Sequence, residues 1–142
     1  MKIKVVTISP YDSITAAHKL MKTYNIRHLL VTDGGELKGV ISDRDIMRVA
    51  DIDSLGVLHT PNQTADQIMS ENPITVGESA SVEEVTQIML DSNIDCLPVV
   101  DGNQIKGLVT SYDMLHLVNK LAKEGKCKDL AFQFVITEGE KI

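Results

Sequence analysis

Gly39-Val40-Ile41-Ser42-Asp43-Arg44-Asp45 returns later in the chain as Gly107-Leu108-Val109-Thr110-Ser111-Tyr112-Asp113. Each copy runs glycine, two aliphatic residues, a hydroxyl, two variable residues and an aspartate. Each follows an apolar run and precedes a helical pattern, which places hydroxyl and carboxylate at a strand-to-helix turn. Backbone N–H groups there have no partner within the helix, and negative charge is stabilised beside them. Two such turns at matching places in a repeated unit predict a pair of related sites.

The repetition extends well beyond the turns. Shifting the sequence on itself by 68 residues lays Thr7–Val49 over Thr75–Leu117 without a gap. Ser13 then meets Ser81, Met21 meets Met89, Asn25-Ile26 meets Asn93-Ile94, and Asp33-Gly34 meets Asp101-Gly102. Such self-similarity is the mark of tandem duplication. In each unit a short extended piece (Val5–Ile8; Ile74–Val76) leads to a helix after Ser13 or Ser81. Ser81-Val82-Glu83-Glu84 has the form of a capping box. Ile14, Ala17, Leu20, Met21 and Tyr24 share one helical face, as do Val82, Val85, Ile88 and Met89. Asn25 and Asn93 fit left-handed C-caps.

Two strands with a glycine-bearing turn follow in each unit, Leu29–Val31 with Leu37–Ile41 and Leu97–Val100 with Ile105–Val109. The second helices are expected over Asp43–Ala50 and Tyr112–Lys123, the latter stopped by Gly125. Between the units, Asp51–Asn62 reads as a loop or short irregular helix. Thr64-Ala65-Asp66-Gln67 is another capping box, opening a helix over Ala65–Met69. The domain reading is therefore repeat 1 with its connecting loop (1–60), linker helix and repeat 2 (61–125), and a C-terminal tail (126–142). The tail patch Leu130–Ile136 could add a strand or cover a partner surface. The fold class is α/β (α+β): two β-α-β-β-α repeats, each with a sheet covered by helices on one side, packed sheet-to-sheet about a pseudo-twofold axis. Clefts between such units suit small ligands.

Composition narrows the function classes. At 142 residues, with 43% hydrophobic and 24% charged residues, the chain has the make-up of a globular protein able to bury a core. A net charge of −6 argues against nucleic acid or an anionic membrane as partner. The apolar runs are too short to span a bilayer, and Met1-Lys2-Ile3-Lys4 has no signal-peptide character, so a cytoplasmic location is expected. Cys96 and Cys127 lack CxxC spacing and a nearby ligand set, so no metal site is expected. His18, His59 and His116 read as helix- or loop-surface residues. No nucleophile with a paired base and no P-loop is present, so no catalytic residue is assigned and an enzyme is not expected.

Each unit resembles a CBS domain, the module named after cystathionine β-synthase, and the whole resembles a tandem CBS pair, or Bateman module, from about Val5 to about Lys120. The resemblance rests on Thr7-Ile8 with Thr75-Val76, on Asn25–Val31 with Asn93–Val99, on the two glycine-hydroxyl-aspartate turns, and on Met69–Val76 as the lead-in to a second repeat. It implies a regulatory module that binds an adenine-containing ligand such as AMP, ADP, ATP, S-adenosylmethionine or an NAD species, with no required cofactor. It also implies a homodimer that forms a flat four-repeat disk and signals to an effector protein in trans.

Carried over residue by residue, the resemblance gives Asp45 and Asp113 the ribose hydroxyls, and Ser42 and Thr110 a supporting role at ribose or phosphate. Thr7-Ile8 and Thr75-Val76 would offer backbone groups to adenine. Arg27 and His28 would reach phosphate. The first candidate site is thus Thr7, Ile8, Arg27, His28, Leu29, Ser42, Arg44 and Asp45; the second is Thr75, Val76, Cys96, Leu97, Pro98, Thr110, Tyr112 and Asp113. A carboxylate can accept from both ribose hydroxyls in short charge-assisted bonds. The repeats differ where Leu30 replaces Pro98, where Arg27-His28 stand against Asp95-Cys96, and where Arg44 stands against Tyr112. Unequal sites follow, the one at Asp45 favouring an anionic tail and the one at Asp113 a less anionic ligand. The residue spacing alone also fits plain helix capping, worth roughly 1 kcal/mol. Tyr112 could stack on a base or pack at a dimer face. A ligand-free dimerisation or interaction module is the alternative function.

Overall fold

The duplication in the sequence is reproduced as a duplicated strand register. The structure is a computed structural model and describes residues 5–133 and Gly139. In the first repeat β1 (Thr7–Ile8), α1 (Ile14–Tyr24), β2 (His28–Asp33), β3 (Glu36–Ser42) and α2 (Asp43–Val49) follow in order. The second repeat gives β7 (Val76–Gly77), α4 (Val82–Ser92), β8 (Cys96–Asp101), β9 (Gln104–Thr110) and α5 (Ser111–Lys123). β2 pairs antiparallel with β3 from His28↔Ser42 to Asp33↔Glu36, with an irregularity between Val31 and Thr32. β8 pairs with β9 from Cys96↔Thr110 to Asp101↔Gln104, with the same irregularity between Val99 and Val100. The α/β class and the duplicated order hold. Residues 1–111 form one compact unit and residues 112–142 a second.

Both first helices start and stop as their sequences dictate. Ser13 Oγ accepts the Ala16 N–H and Ser81 Oγ the Glu84 N–H, each at 3.0 Å. Asn25 and Asn93 close the helices at φ 52° and 51°, a left-handed conformation that asparagine tolerates. Ile14, Ala17 and Met21 of α1 are buried in one core with Ile8, Leu29, Val31, Ile41 and Ile46. Each of these side chains larger than alanine contributes about 1.5–3 kcal/mol when so buried. Tyr24 and Val82, at the ends of the expected faces, are exposed instead.

Leu29 and Val31 point to α1, so by strand alternation Leu30 points to the other face of the sheet. Leu30 is fully buried, as is its counterpart Pro98, so that second face is covered in both repeats.

The linker departs from its sequence reading. Residues 51–62 hold neither an irregular helix nor a plain loop but a hairpin of β4 (Asp51–Ile52) and β5 (Leu58–His59). Asp53 organises it: its Oδ1 accepts the Leu55 and Val57 N–H groups, both at 2.9 Å, and its backbone N–H donates to the Val57 carbonyl. Gly56 supplies the positive φ of 81°. α3 (Ala65–Ile68) ends one residue before the expected Met69, and β6 (Ser70–Glu71) then joins the first sheet beside β3. The first sheet is therefore four-stranded, β1-β2-β3-β6, and the second three-stranded, β7-β8-β9. Gly39 permits this approach, since a Cβ there would lie 2.7 Å from the Ser70 carbonyl and 2.6 Å from Met69 Sδ.

In the second compact unit, α5 closes at Gly125 (φ 77°), whose N–H reaches the Ala122 carbonyl while Lys126 N–H reaches Leu121. This is the Schellman pattern expected of a glycine stop. Of the tail patch Leu130–Ile136, residues 134–136 lie outside the described residues.

Candidate functional site

The first turn is closed on itself. Ser42 N–H donates to Asp45 Oδ2 at 2.8 Å, and Asp45 N–H donates to Ser42 Oγ at 3.1 Å. This is the reciprocal capping box, with the serine in extended conformation ahead of α2. Arg48 Nη1 lies 3.3 Å from Asp45 Oδ1. The Asp45 carboxylate thus has one oxygen spent on the helix start and the other shared with a largely exposed arginine. The second turn puts Thr110 at the end of β9 and Tyr112 and Asp113 in the first turn of α5. The Tyr112 ring stands edge-on to His116, centroids 4.5 Å apart.

The donors assigned to the first site lead somewhere else. His28, only 9% exposed, sets its Nε2 3.1 Å from Asp95 Oδ1, and Arg44 Nη2 lies 4.0 Å from Asp95 Oδ2. Asp95 was expected to make the second site acidic; it instead meets two cationic or donor side chains of the first repeat. The reason is topological. Positions 28 and 96 are equivalent in the repeat, both at the start of the central strand, and Asp95 immediately precedes Cys96. Arg27 remains exposed, its carbonyl accepting the Asp43 N–H at 2.9 Å, with no ion pair among the described residues.

Cys96 belongs to this same group. Burial pushes its thiol up to about 12, assisted by the negative charges of Asp95 and Asp45. The imidazole of His28, the Asp95 carboxylate and the Cys96 sulfur have donor atoms all within 4.8 Å of one another. The sequence shows no sign of this group, because His28 and Asp95 are 67 residues apart and linear spacing carries no signal of their meeting.

The extended lead-ins also differ between repeats. Leu30 N–H donates to the Val6 carbonyl at 3.2 Å, so β1 begins pairing at Thr7↔Leu30. Pro98, at the equivalent position, has no N–H to give. β7 pairs one step later, at Val76↔Val99, and the Ile74 carbonyl is relieved of the partner that Val6 has. Thr75 lines a cleft of about 320 Å³, together with Asn72, Pro73 and residues of both hairpins including Leu37 and Ile105. Of the sixteen candidate site residues, Thr75 is the one that lines this cleft. Leu29 and Leu97 are fully buried core residues, and Ile8 and Val76 are buried; in these four, only backbone atoms are placed to meet a ligand.

A tandem α/β repeat with paired strand-to-helix turns defines a class of two-repeat modules, and comparison with known proteins agrees. The CBS domain family profile matches residues 1–51 and 65–120. The chain belongs to the CBS domain family. It is 32% identical over 130 residues to the CBS domain-containing protein YhcV of Bacillus subtilis, covering 87% of this chain and 84% of that protein. It is 36% identical over 113 residues to inosine-5′-monophosphate dehydrogenase of Korarchaeum cryptofilum, where 79% of this chain spans only 22% of the enzyme. Among solved structures, the CBS domain pair of protein MJ0100, in complex with 5′-methylthioadenosine and S-adenosyl-L-methionine, superposes with a TM-score of 0.72 at 31% identity, covering 84% of this chain and 92% of that one. No helix among the described residues is long and apolar enough to cross a membrane.

Proposed function

We propose that this chain is a regulatory module that binds an adenine-containing ligand, AMP, ADP, ATP or S-adenosylmethionine, and passes the binding event to an effector protein in trans. The observation that carries the reading is the likeness to the MJ0100 CBS pair, whose two bound ligands are both adenosyl compounds. The two repeats, residues 1–60 and 61–125, supply one site each. Asp45 and Ser42 serve the first site, and Asp113 and Thr110 the second. Ligand binding shifts the population of module conformations, and the partner reads the shift.

The backbone difference at Leu30 and Pro98 revises which site suits adenine. In the first repeat the Val6 carbonyl is occupied by Leu30 N–H; in the second, proline leaves the Ile74 carbonyl available to the adenine edge or its solvent. The second site therefore favours the base, and Arg27 beside the first turn is the exposed cation for an anionic tail. The module acts as a homodimer, supported by the exposed apolar residues Val82 and Leu90 on α4 and Leu115 and Val118 on α5. Catalysis is not part of the role.

A thermal-shift panel of adenine ligands tests this, because a ligand that binds only the folded state raises its melting point. A shift of several degrees with at least one adenosyl ligand is expected, and no shift with any of them sinks the proposal. The second reading, a ligand-free interaction module, is favoured by one observation: Ser42 and Asp45 already satisfy each other. It requires a Ser42→Ala, Asp45→Ala, Asp113→Ala triple variant to keep dimerisation and partner binding unchanged.

A further inference from the structure

His28 and Cys96 were each expected in an adenine-ligand site, but the structure turns both toward Asp95, and the proposed binding role rests on Ser42, Asp45, Thr110 and Asp113 instead. We propose that these three side chains form a binding site for a borderline transition-metal dication of the zinc class. His28 and Cys96 open the central strands of the two sheets, each fixed by antiparallel pairing, His28 to Ser42 and Cys96 to Thr110. Two of the three ligand atoms are therefore carried by paired strands, and Asp95 brings the third from the bend one residue ahead of Cys96.

The distances fit such an ion with a small adjustment. Zinc bonds of about 2.0–2.3 Å in a tetrahedron separate neighbouring ligand atoms by about 3.3–3.8 Å. His28 Nε2 and Asp95 Oδ1 are already 3.1 Å apart, and no pair among the three exceeds 4.8 Å. Rotation of side chains by about 1 Å at the sulfur closes the set. The donors, one nitrogen, one oxygen and one sulfur, do not suit calcium or magnesium, which take oxygen ligands, and suit zinc or cobalt.

Charge points the same way. Metal binding displaces the Cys96 proton, and the thiolate so formed together with the Asp95 carboxylate neutralises a dication. Arg44 approaches Asp95 through Oδ2 at 4.0 Å, leaving Oδ1 for the ion and orienting the carboxylate from outside. His28 is buried while Asp95 is 40% exposed, so the ion enters from the aspartate side. Three protein ligands leave a fourth position for water or for a donor atom of a bound molecule.

The test uses the full chain, reduced and stripped with a chelator, titrated with Co2+ and then with Zn2+. One Co2+ per chain is expected, with a thiolate-to-cobalt charge-transfer band that one equivalent of Zn2+ abolishes. Cys127→Ser keeps the band, Cys96→Ser loses it, and His28→Gln weakens Co2+ binding at least tenfold. Zn2+ raises the melting point of the parent chain and not of Cys96→Ser. Asp95→Asn, which keeps the shape and removes the charge, weakens binding in the same way if Cys96→Ser does not fold. No charge-transfer band in the parent chain, or a band that survives Cys96→Ser and disappears with Cys127→Ser, overturns the proposal.

Discussion

Replacing Asp45 by Ala and by Asn separates two jobs that one carboxylate holds in this structure. As a cap, Asp45 accepts the Ser42 N–H at 2.8 Å and pairs with Arg48 at 3.3 Å. The Arg48 side chain is largely exposed, so that pair contributes between zero and about 1 kcal/mol. Losing the return arm of the capping box leaves the Ser42 N–H without its acceptor and costs about 1 kcal/mol. Asp45→Ala should therefore lower stability by about 1–2 kcal/mol. Asp45→Asn retains an amide oxygen for the Ser42 N–H and should cost well under half of that.

Ribose binding responds differently. Hydrogen bonds to a charged acceptor contribute about 1.5–3 kcal/mol and neutral ones about 0.5–1.5 kcal/mol, so the asparagine should weaken an adenosyl ligand by about tenfold. Chemical denaturation of both variants gives the stability difference, and calorimetric titration gives the affinities. An Asp45→Asn variant with parent affinity, or an Asp45→Ala variant that loses affinity only in proportion to its lost stability, would refute a ribose role and leave capping as the sole one.

Pro98→Leu should supply the N–H that Leu30 provides in the first repeat, engage the Ile74 carbonyl and weaken ligand at the second site by about three- to tenfold, one hydrogen bond's worth; unchanged two-site calorimetry would refute it. Gly39→Ala should destabilise by about 1–3 kcal/mol, the cost of overpacking, because the added methyl meets the Ser70 carbonyl of β6; an unaltered melting point would show that β6 does not lie so close. Asp53 has a pKa below its usual 3.8, held down first by the His59 hydrogen bond and then by the Val57 N–H. A depressed folded pKa adds stability above the unfolded value that is lost as pH falls through the folded one, so the hairpin should loosen only below pH 3.8. Carboxyl NMR titration should place Asp53 below the usual range and His59→Ala should raise it; a normal titration in the parent chain would contradict the hairpin geometry.

The duplication was legible because hydrophobic period, asparagine caps and glycine turns are local signals, and each occurs twice in one register. The linker was not, because a two-residue strand has no periodicity to detect. Asp53-Ser54-Leu55-Gly56 nevertheless carried turn chemistry, an aspartate with a glycine three residues on, that could have marked the hairpin. β6 left its trace at Gly39, whose lack of a side chain matters only once another backbone lies against it. The candidate sites were half legible. Which residues lie near the turns followed from the motif, but the partners of His28 and Arg44 come from the other repeat.

That last point changes how the differences between the repeats should be understood. In an exact duplicate, equivalent positions that face one another would place like against like, imidazole against imidazole or carboxylate against carboxylate. Here His28 stands at the position of Cys96, Arg27 at that of Asp95, and Arg44 at that of Tyr112. The substitutions turn a like-with-like encounter into a complementary one, in which a carboxylate from one repeat receives an imidazole and a guanidinium from the other. A half-buried carboxylate left without such partners would be costly, so the divergence of the two repeats at these positions is coupled. The same residues, read along the sequence, looked like a cationic site and an acidic one. Folded, the acidic group offsets the cationic one, and what still differs is the backbone, where Pro98 lacks the N–H that Leu30 supplies.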